Sequence, residues 1–320
     1  MDISCTGDGV GITTNEHEGA EHNHEEHLWE KLKTSEGVEK ASVLSDLAHM
    51  SHHKAQWKEA VTFAETAVDI YLAQTESYDQ TDLAQVYLGM AYALHKLDRN
   101  DEAVVKAQAA CALFAKIDSP RLFMAQRNLG VFLNEAGQFE EAARSFREII
   151  KTRPFDDEEI YLGKDLFNLG NALEKLEQYD EAIDLLMQAR TIAKTHSAIG
   201  LALLCDASLA LCYLQTSRID EAISSATLAV EQARLSENHK VIMEAQTIRA
   251  RGYIAQKNYD QALFDLKGGK DLYIKNECDP TWSLVIDAEA LIAEIFELQG
   301  DEERARETRS RIALITESSM

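Results

Sequence analysis

Proline is nearly absent from this 320-residue sequence, which has three prolines against 42 alanines. Because proline disrupts the interior of a helix and alanine favours it, this balance predicts a helical protein. Long apolar runs are absent as well: the longest, residues 199–214, is interrupted by Asp206 and Ser208 and is too short to span a bilayer. With 45% apolar residues the chain can still build a packed core, which excludes wholesale disorder.

Basic residues are also scarce, since 32 Lys and Arg stand against 55 Asp and Glu, for a net charge of −23. Such an acidic excess repels nucleic-acid phosphates and anionic lipids, so we expect no direct nucleic-acid binding and no membrane partner. The first 30 residues carry eight acids and no Lys or Arg, unlike the basic start of a signal peptide. We therefore expect an unprocessed cytoplasmic protein.

Motifs for catalysis and cofactor binding are missing. The five cysteines are an odd number without a C-x-x-C pair, which argues against a disulfide framework and a zinc site. Phosphate loops, nucleophile elbows and dinucleotide fingerprints do not occur in the sequence. We expect no enzyme activity, no catalytic residue and no cofactor. Cys205 and Cys212 lie seven residues apart and are interpreted as small buried hydrophobes.

The amino-terminal segment is rich in histidine and glutamate. His17, His22, His24 and His27 lie among glutamates, and imidazole and carboxylate groups both bind zinc or nickel. Glycines and a shortage of apolar residues favour a flexible acidic tail over residues 1–27. We expect no specific metal site there, and a weak adventitious one stays open.

An internal repeat occupies most of the remaining chain. An alanine that follows an acidic or polar pair recurs seven times at spacings of 39 to 43 residues, and another small residue stands twelve positions before each one. Small residues at this distance let two antiparallel helices approach closely, so the pattern predicts seven pairs, each of a helix A and a helix B. The pairs of small residues are Ala48 and Ala60, Ala91 and Ala103, Gly130 and Ala142, Gly170 and Ala182, Ala210 and Ala222, Ala250 and Ala262, and Ala293 and Ala305.

All three prolines fall between one predicted pair and the next. Pro154 lies after the third pair, where a helix can start but not continue. Ser119-Pro120 and Asp279-Pro280 each predict a helix cap followed by a proline in the first turn.

This pattern resembles the tetratricopeptide repeat from about residue 38 to residue 318. The third to fifth repeats carry the resemblance best, as in Asn128-Leu129-Gly130 followed by Phe139-Glu140-Glu141-Ala142. A period near 40, against about 34 in the common repeat, is similar to the branch that includes kinesin light chains and bacterial peptide-pheromone receptors. The resemblance implies an all-α solenoid of about seven repeats in a right-handed superhelix, built from residues 28–320 with the last repeat as a cap.

The resemblance also implies a binding surface for a protein or peptide on helix A. In family members that bind peptides, the contact residues lie one and four places after the small residue and two, three and six places before it. Asparagine amides at such places can bracket a peptide backbone, and basic side chains can bind a carboxylate. The alternative is that the asparagines bridge neighbouring helices and the charges are solvated. The matching residues include Arg127, Asn128 and Asn134 in the third repeat, Lys164, Phe167, Asn168 and Asn171 in the fourth, Leu204 and Leu211 in the fifth, and Arg251 in the sixth.

Helix A of the fifth repeat is apolar nearly all round, and a helix of that kind must be covered. Leu204 and Leu211 predict an apolar slot for a partner's side chains. Closure of the superhelix or a homodimer contact is the alternative cover. Two functions stay open: a non-enzymatic adaptor, chaperone or peptide receptor that captures an extended segment in its concave channel, and an acidic regulator or decoy that binds a basic protein through its negative outer surface.

Overall fold

The structure of the protein is a computed structural model that describes residues 14–74, 78–154, 157–276 and 282–318, with side chains described from residue 24 to residue 317. These residues form α-helices and no strand, as the composition predicts. The helices are α1 (Thr14–Thr34), α2 (Gly37–His53), α3 (Trp57–Ala73), α4 (Gln80–Lys96), α5 (Asn100–Lys116), α6 (Leu122–Glu135), α7 (Phe139–Thr152), α8 (Glu159–Lys175), α9 (Tyr179–Thr195), α10 (Ile199–Gln215), α11 (Ile219–Leu235), α12 (His239–Ala255), α13 (Tyr259–Asn276), α14 (Trp282–Leu298) and α15 (Glu302–Ser318).

The chain divides at Gly137 into two compact units. Unit 1 contains α1 to α6, in which each helix packs against the next one along the chain. Unit 2 contains α7 to α15 and is built in the same way from α7 onward. The even-numbered helices from α2 to α14 are the predicted A helices, and the odd-numbered helices from α3 to α15 are the predicted B helices. Within each unit, the tandem helix pairs expected from the repeat are therefore present.

The paired small residues lie where an A helix and a B helix approach each other. A Cβ atom on Gly170 of α8 would lie 2.8 Å from Cγ of Leu186 and 3.5 Å from the carbonyl oxygen of Ala182, both on α9. Ala182 is itself fully buried, as are Ala210 and Ala222 in the next pair. Larger residues at these positions would hold the two backbones apart, which explains the twelve-residue spacing.

Each turn from an A helix to the following B helix contains one residue in the left-handed region, five positions before the small residue of helix B. Only two of the seven are glycine, although a side chain makes this conformation costly by about 1–2 kcal/mol. The residues and their φ angles are Ala55 (54°), Asp98 (59°), Gly137 (73°), Glu177 (59°), Ser217 (58°), Lys257 (61°) and Gly300 (77°).

We expect the Lys257→Gly variant to be more stable than the wild type by about 1 kcal/mol, because glycine adopts the left-handed conformation without the steric cost. The Lys257 side chain is exposed, so its removal costs little packing. The free energy of unfolding from urea titrations measures the gain. Gly300→Ala is the matched control and should lose a similar amount, since a Cβ there would meet no atom within 4 Å and only the backbone conformation is penalised. An unchanged Lys257→Gly midpoint would contradict the prediction.

A helix boundary lies at each described proline, but α6 begins at Leu122 with Arg121 at its N-cap, so Pro120 precedes the helix and does not lie in its first turn as predicted. The hydroxyl of Ser119 accepts a hydrogen bond from the backbone N–H of Arg121 (3.3 Å), immediately before α6. Pro154 follows the end of α7 at Thr152. Asp279 and Pro280 lie outside the described residues.

The flexible tail expected over residues 1–27 stays a prediction; the structure describes α1 from Thr14, and α1 continues past residue 27 to Thr34. Leu28 is buried, and the ring of Trp29 lies 5.7 Å from the ring of Phe63 on α3. Glu25 forms an ion pair with Lys54. Apolar residues one helical turn apart thus hold the second half of α1 against the first helix pair, which glycine content alone did not indicate.

Candidate functional site

Each A helix of unit 2 has one stripe of side chains that neither the B helices nor its neighbouring A helices cover. Such a stripe follows from the two-layer packing, because the remaining sides of the helix contact the B layer or the adjacent repeats. We call the combined stripes of α8, α10, α12 and α14 the A-helix face of unit 2. Its residues are Lys164, Asn168 and Asn171 of α8, Leu204, Ala207, Ser208 and Leu211 of α10, Glu244, Thr247, Ile248 and Arg251 of α12, and Asp287, Ala290 and Glu294 of α14.

The predicted contact residues of the fourth to sixth repeats lie on this face with one exception. Lys164, Asn171 and Leu211 are half-buried and Arg251 is exposed. Phe167, which the same family rule selected, is only 5% exposed and belongs to the core. Ala207 and Thr247 at the same offset on α10 and α12 remain on the face, whereas the large ring of Phe167 packs into the core and is not available for a partner.

A hydrogen bond joins two neighbouring A helices at the centre of the face. The hydroxyl of Ser208 on α10 donates to Oδ1 of Asn171 on α8 at 3.0 Å. Because the carboxamide oxygen is engaged in this way, the amide N–H groups of Asn171 are the part that can donate to a ligand. Ser208 lies two places before Ala210, one of the offsets of peptide-binding family members, but it was not among the contact residues predicted for the fifth repeat.

The composition of α10 suggested a helix that is apolar nearly all round. The structure differs, because one side of the helix carries a buried acid. Leu204 and Leu211 are half-buried on the outward stripe, while Asp206 lies fully buried on the opposite side. Oδ1 of Asp206 accepts from Arg190 of α9 at 2.9 Å, and Oδ2 accepts from Gln232 of α11 at 3.3 Å. The neighbouring repeats therefore cover the inner side, and the two leucines form an apolar patch on the outside.

Two further acids are buried between packed helices. Asp265 of α13 accepts from Nε and Nη2 of Arg249 on α12, both at 2.7 Å. Glu289 of α14 accepts from Lys270 of α13 at 2.6 Å and from Arg311 of α15 at 3.1 Å. Hydrogen bonding to Asp265 raises the pKa of the Arg249 guanidinium, which keeps it charged despite burial. Asp265 therefore joins the two helices of the sixth repeat, and Glu289 joins the sixth repeat to the seventh; neither pair was identified from the sequence.

The charges of the A-helix face change towards α14. On α12, burial raises the pKa of Glu244 and the nearby Lys240 partly offsets the effect, while Arg251 is exposed. On α14, Asp287 and Glu294 are exposed on the outward stripe. The face therefore combines amides and a lysine on α8, leucines on α10, both signs of charge on α12 and acids on α14.

The predicted residues of the third repeat belong to unit 1 and are described by themselves. Arg127, Asn128 and Asn134 are half-buried on α6. The guanidinium carbon of Arg127 lies 4.6 Å from the centroid of the Phe123 ring, one turn earlier, which is the geometry of a cation–π contact.

A second histidine group of unit 1 is part of an aromatic stack. Nε2 of His52 lies 2.8 Å from the carbonyl oxygen of Gly89 on α4, and its ring packs 5.5 Å from Trp57 and 5.3 Å from Tyr92. Burial lowers the pKa of His52, so the neutral ring is favoured near pH 7 and donates through Nε2. His24 and His27 are exposed on α1, and the side chains of His17 and His22 lie outside the described part.

The side chains that the structure describes include no cluster of three or more His, Cys, Asp or Glu able to hold a metal ion. Cys205 and Cys212 are fully buried, which confirms their interpretation as small core residues. Burial raises the pKa of each thiol to about 12, and that of Cys111 to about 11. At neutral pH these three thiols are protonated and poor nucleophiles. Among the described helices, none combines the length and the apolar character that crossing a membrane requires.

Comparison with known proteins identifies the repeat. The family model described as "Tetratricopeptide repeat" matches residues 121–195, which cover α6, α7, α8 and α9. No curated protein sequence matches this chain significantly.

Solved structures share the fold of the chain. A signal-transduction ATPase with a tetratricopeptide-repeat sensor from Pyrococcus horikoshii is 17% identical over 85% of this chain, with a TM-score of 0.66, and this chain spans only 41% of that protein. The Rap conjugation gene regulator of plasmid pLS20, in complex with the Phr* peptide, is 17% identical over 99% of this chain and 80% of its own, with a TM-score of 0.54.

A putative kinesin light chain from Podospora anserina is 20% identical over 62% of this chain and 98% of its own length, with a TM-score of 0.52. At these identities the neighbours show a common fold and nothing about ligands. The neighbours include a kinesin light chain and a peptide-binding regulator, the two kinds of long-repeat array to which the 40-residue period is similar. Residues 121–195 match the tetratricopeptide-repeat model, and the described helix pairs share the fold of these solved structures.

Proposed function

We propose that the protein is a non-enzymatic scaffold that binds an extended protein segment or peptide on the A-helix face of unit 2. The observation that supports this most is the apolar patch of Leu204 and Leu211 next to the amide of Asn171, whose orientation Ser208 sets. Apolar side chains held at a surface beside an oriented amide suit a partner that offers both a backbone and an apolar side chain.

The binding mechanism follows from these groups. The amide N–H of Asn171 donates to a backbone carbonyl of the segment, which gives affinity without selecting its sequence. An apolar side chain of the segment then covers Leu204 and Leu211 and removes their exposed surface from water. A segment lying across α8 and α10 satisfies both contacts at once.

A structural neighbour is consistent with this role. The Rap regulator of plasmid pLS20 was solved with the Phr* peptide, and its helix pairs share the fold of this chain. We extend peptide binding to this chain as a proposal, because the likeness itself concerns the fold.

A double variant, Leu204→Asp with Leu211→Asp, tests the proposal on the full-length chain. Twelve-residue peptides selected from a random displayed library serve as probes, and fluorescence anisotropy measures their dissociation constants. We expect the double variant to bind about thirtyfold or more weakly, because it loses the burial of two leucines.

Leu235→Asp is the matched control, since Leu235 is 84% exposed at the end of α11 and outside the A-helix face. Its affinity should equal that of the wild type, and circular dichroism should show the same helicity for all three proteins. Peptides that bind the double variant as tightly as the control would overturn the proposal. If the affinity is also strongly reduced by salt and is unaffected by the two leucine substitutions, the result would favour an acidic outer surface that binds basic proteins.

A further inference from the structure

The A-helix face of unit 2 has a charge order along the array. At one end, α8 presents Lys164, and at the other, α14 presents Asp287 and Glu294. Between them, α10 presents no charge, and α12 presents Glu244 and Arg251, one of each sign. A segment that crosses the four helices therefore meets a basic, an apolar, a mixed and an acidic helix in that order.

Neighbouring groups preserve this order. On α8, Glu174 is paired with Lys175 at 3.4 Å, whereas the Nζ atom of Lys164 lies 5.1 Å above the ring of Tyr161. On α14, Glu297 is paired with Arg309 of α15. The sequence from residue 277 to residue 303 contains no Lys or Arg, so α14 supplies no base of its own.

We propose that the face accepts a peptide segment in one direction only, with an acidic side chain or carboxylate at α8, an apolar side chain at α10 and a basic side chain or amino group at α14. The inference rests on the proposed function and names the chemical class of the partner. In this orientation the charges of the segment meet opposite charges on α8 and α14. A reversed segment places like charges together at both ends, and this repulsion lets a binding site reject it.

The spacing of the helices sets the spacing of the residues in the segment. Packed helices lie about 8–10 Å apart, and an extended chain advances about 3.3 Å per residue. The apolar residue therefore lies about three positions from the acidic one, and the basic residue lies about six positions from the apolar one on its other side. A segment of roughly ten residues covers the whole face.

A charge-reversal variant, Asp287→Lys with Glu294→Lys, tests the order on the full-length chain with the selected peptides. We expect a loss of affinity of about tenfold, and recovery when the basic residue of the peptide is replaced by glutamate. Glu302→Lys with Glu303→Lys is the control, because it changes the net charge equally at exposed positions at the start of α15, outside the face. Both proteins should keep wild-type helicity.

The outcomes separate this inference from the proposed function. Recovery by the charge-swapped peptide only in the α14 variant supports the order. Peptides that need Leu204 and Leu211 but respond equally to the α14 variant and its control overturn the order and leave the proposed function standing. Peptides that need neither the leucines nor the acids overturn both, and so does a library that yields no binder.

Discussion

The Asp265→Ala variant is expected to lose about 3–5 kcal/mol of unfolding free energy, because the change leaves a buried guanidinium without its partner. Asp265 is 2% exposed and accepts two hydrogen bonds of 2.7 Å from Arg249, and a weaker one from Gln246 at 3.4 Å. Urea titrations followed by circular dichroism measure the loss. Hydrogen exchange should locate it in α12 and α13, since neighbouring repeats stabilise one another pairwise.

Glu181→Ala is the matched control, because it removes an ion pair of similar length that lies on the surface. Glu181 lies 3.0 Å from Arg147, and both side chains are about half exposed, at 51% and 47%. Solvent screens that pair, so its loss should cost less than about 1 kcal/mol. If Asp265→Ala were as mild as Glu181→Ala, the interpretation of Asp265 as a buried link between α12 and α13 would be wrong.

The Gly170→Val variant should be destabilised by about 3 kcal/mol, because the added side chain overpacks the contact between α8 and α9. A Cβ at Gly170 would already lie 2.8 Å from Cγ and 2.9 Å from Cδ2 of Leu186, a fully buried residue. The core leaves Leu186 little room to move, so the two helices must separate. The free energy of unfolding in urea measures the effect.

Gly268→Ala tests the opposite case on α13. A Cβ at Gly268 would meet no atom within 4 Å, so only the helix propensity changes, and the variant should gain up to about 1 kcal/mol. Gly170→Ala should fail to show that gain. Equal stabilisation by alanine at both positions would contradict a close helix approach at Gly170.

The sequence predicted the repeat and the outward stripe because both depend on periodicity. Small residues twelve apart mark where two helices touch, and fixed offsets from them mark the exposed side of helix A. Lys164, Asn171 and Arg251 lie where those offsets put them. Phe167 does not, because the offset three places before the small residue lies near the edge of the stripe, where its large ring can turn into the core.

Other features depend on side chains from three helices meeting at one point. Asp206 and Asp265 look like any other acid of this acidic chain, and only the packed repeats bring a basic residue to each of them. The hydrogen bond between Ser208 and Asn171 joins residues 37 positions apart and needs the distance between α8 and α10. The amino-acid composition of a segment does not specify the distances between helices.

The sequence by itself therefore determined that the protein is a tandem array of helix pairs and which side of each A helix faces outward, since both follow from spacing along one chain. The tertiary structure alone decided which acids are buried with basic partners, that the second half of α1 packs against the first helix pair, and that amide, apolar and acidic groups follow one another across the A-helix face of unit 2. These depend on distances between helices, which are fixed only when the repeats pack.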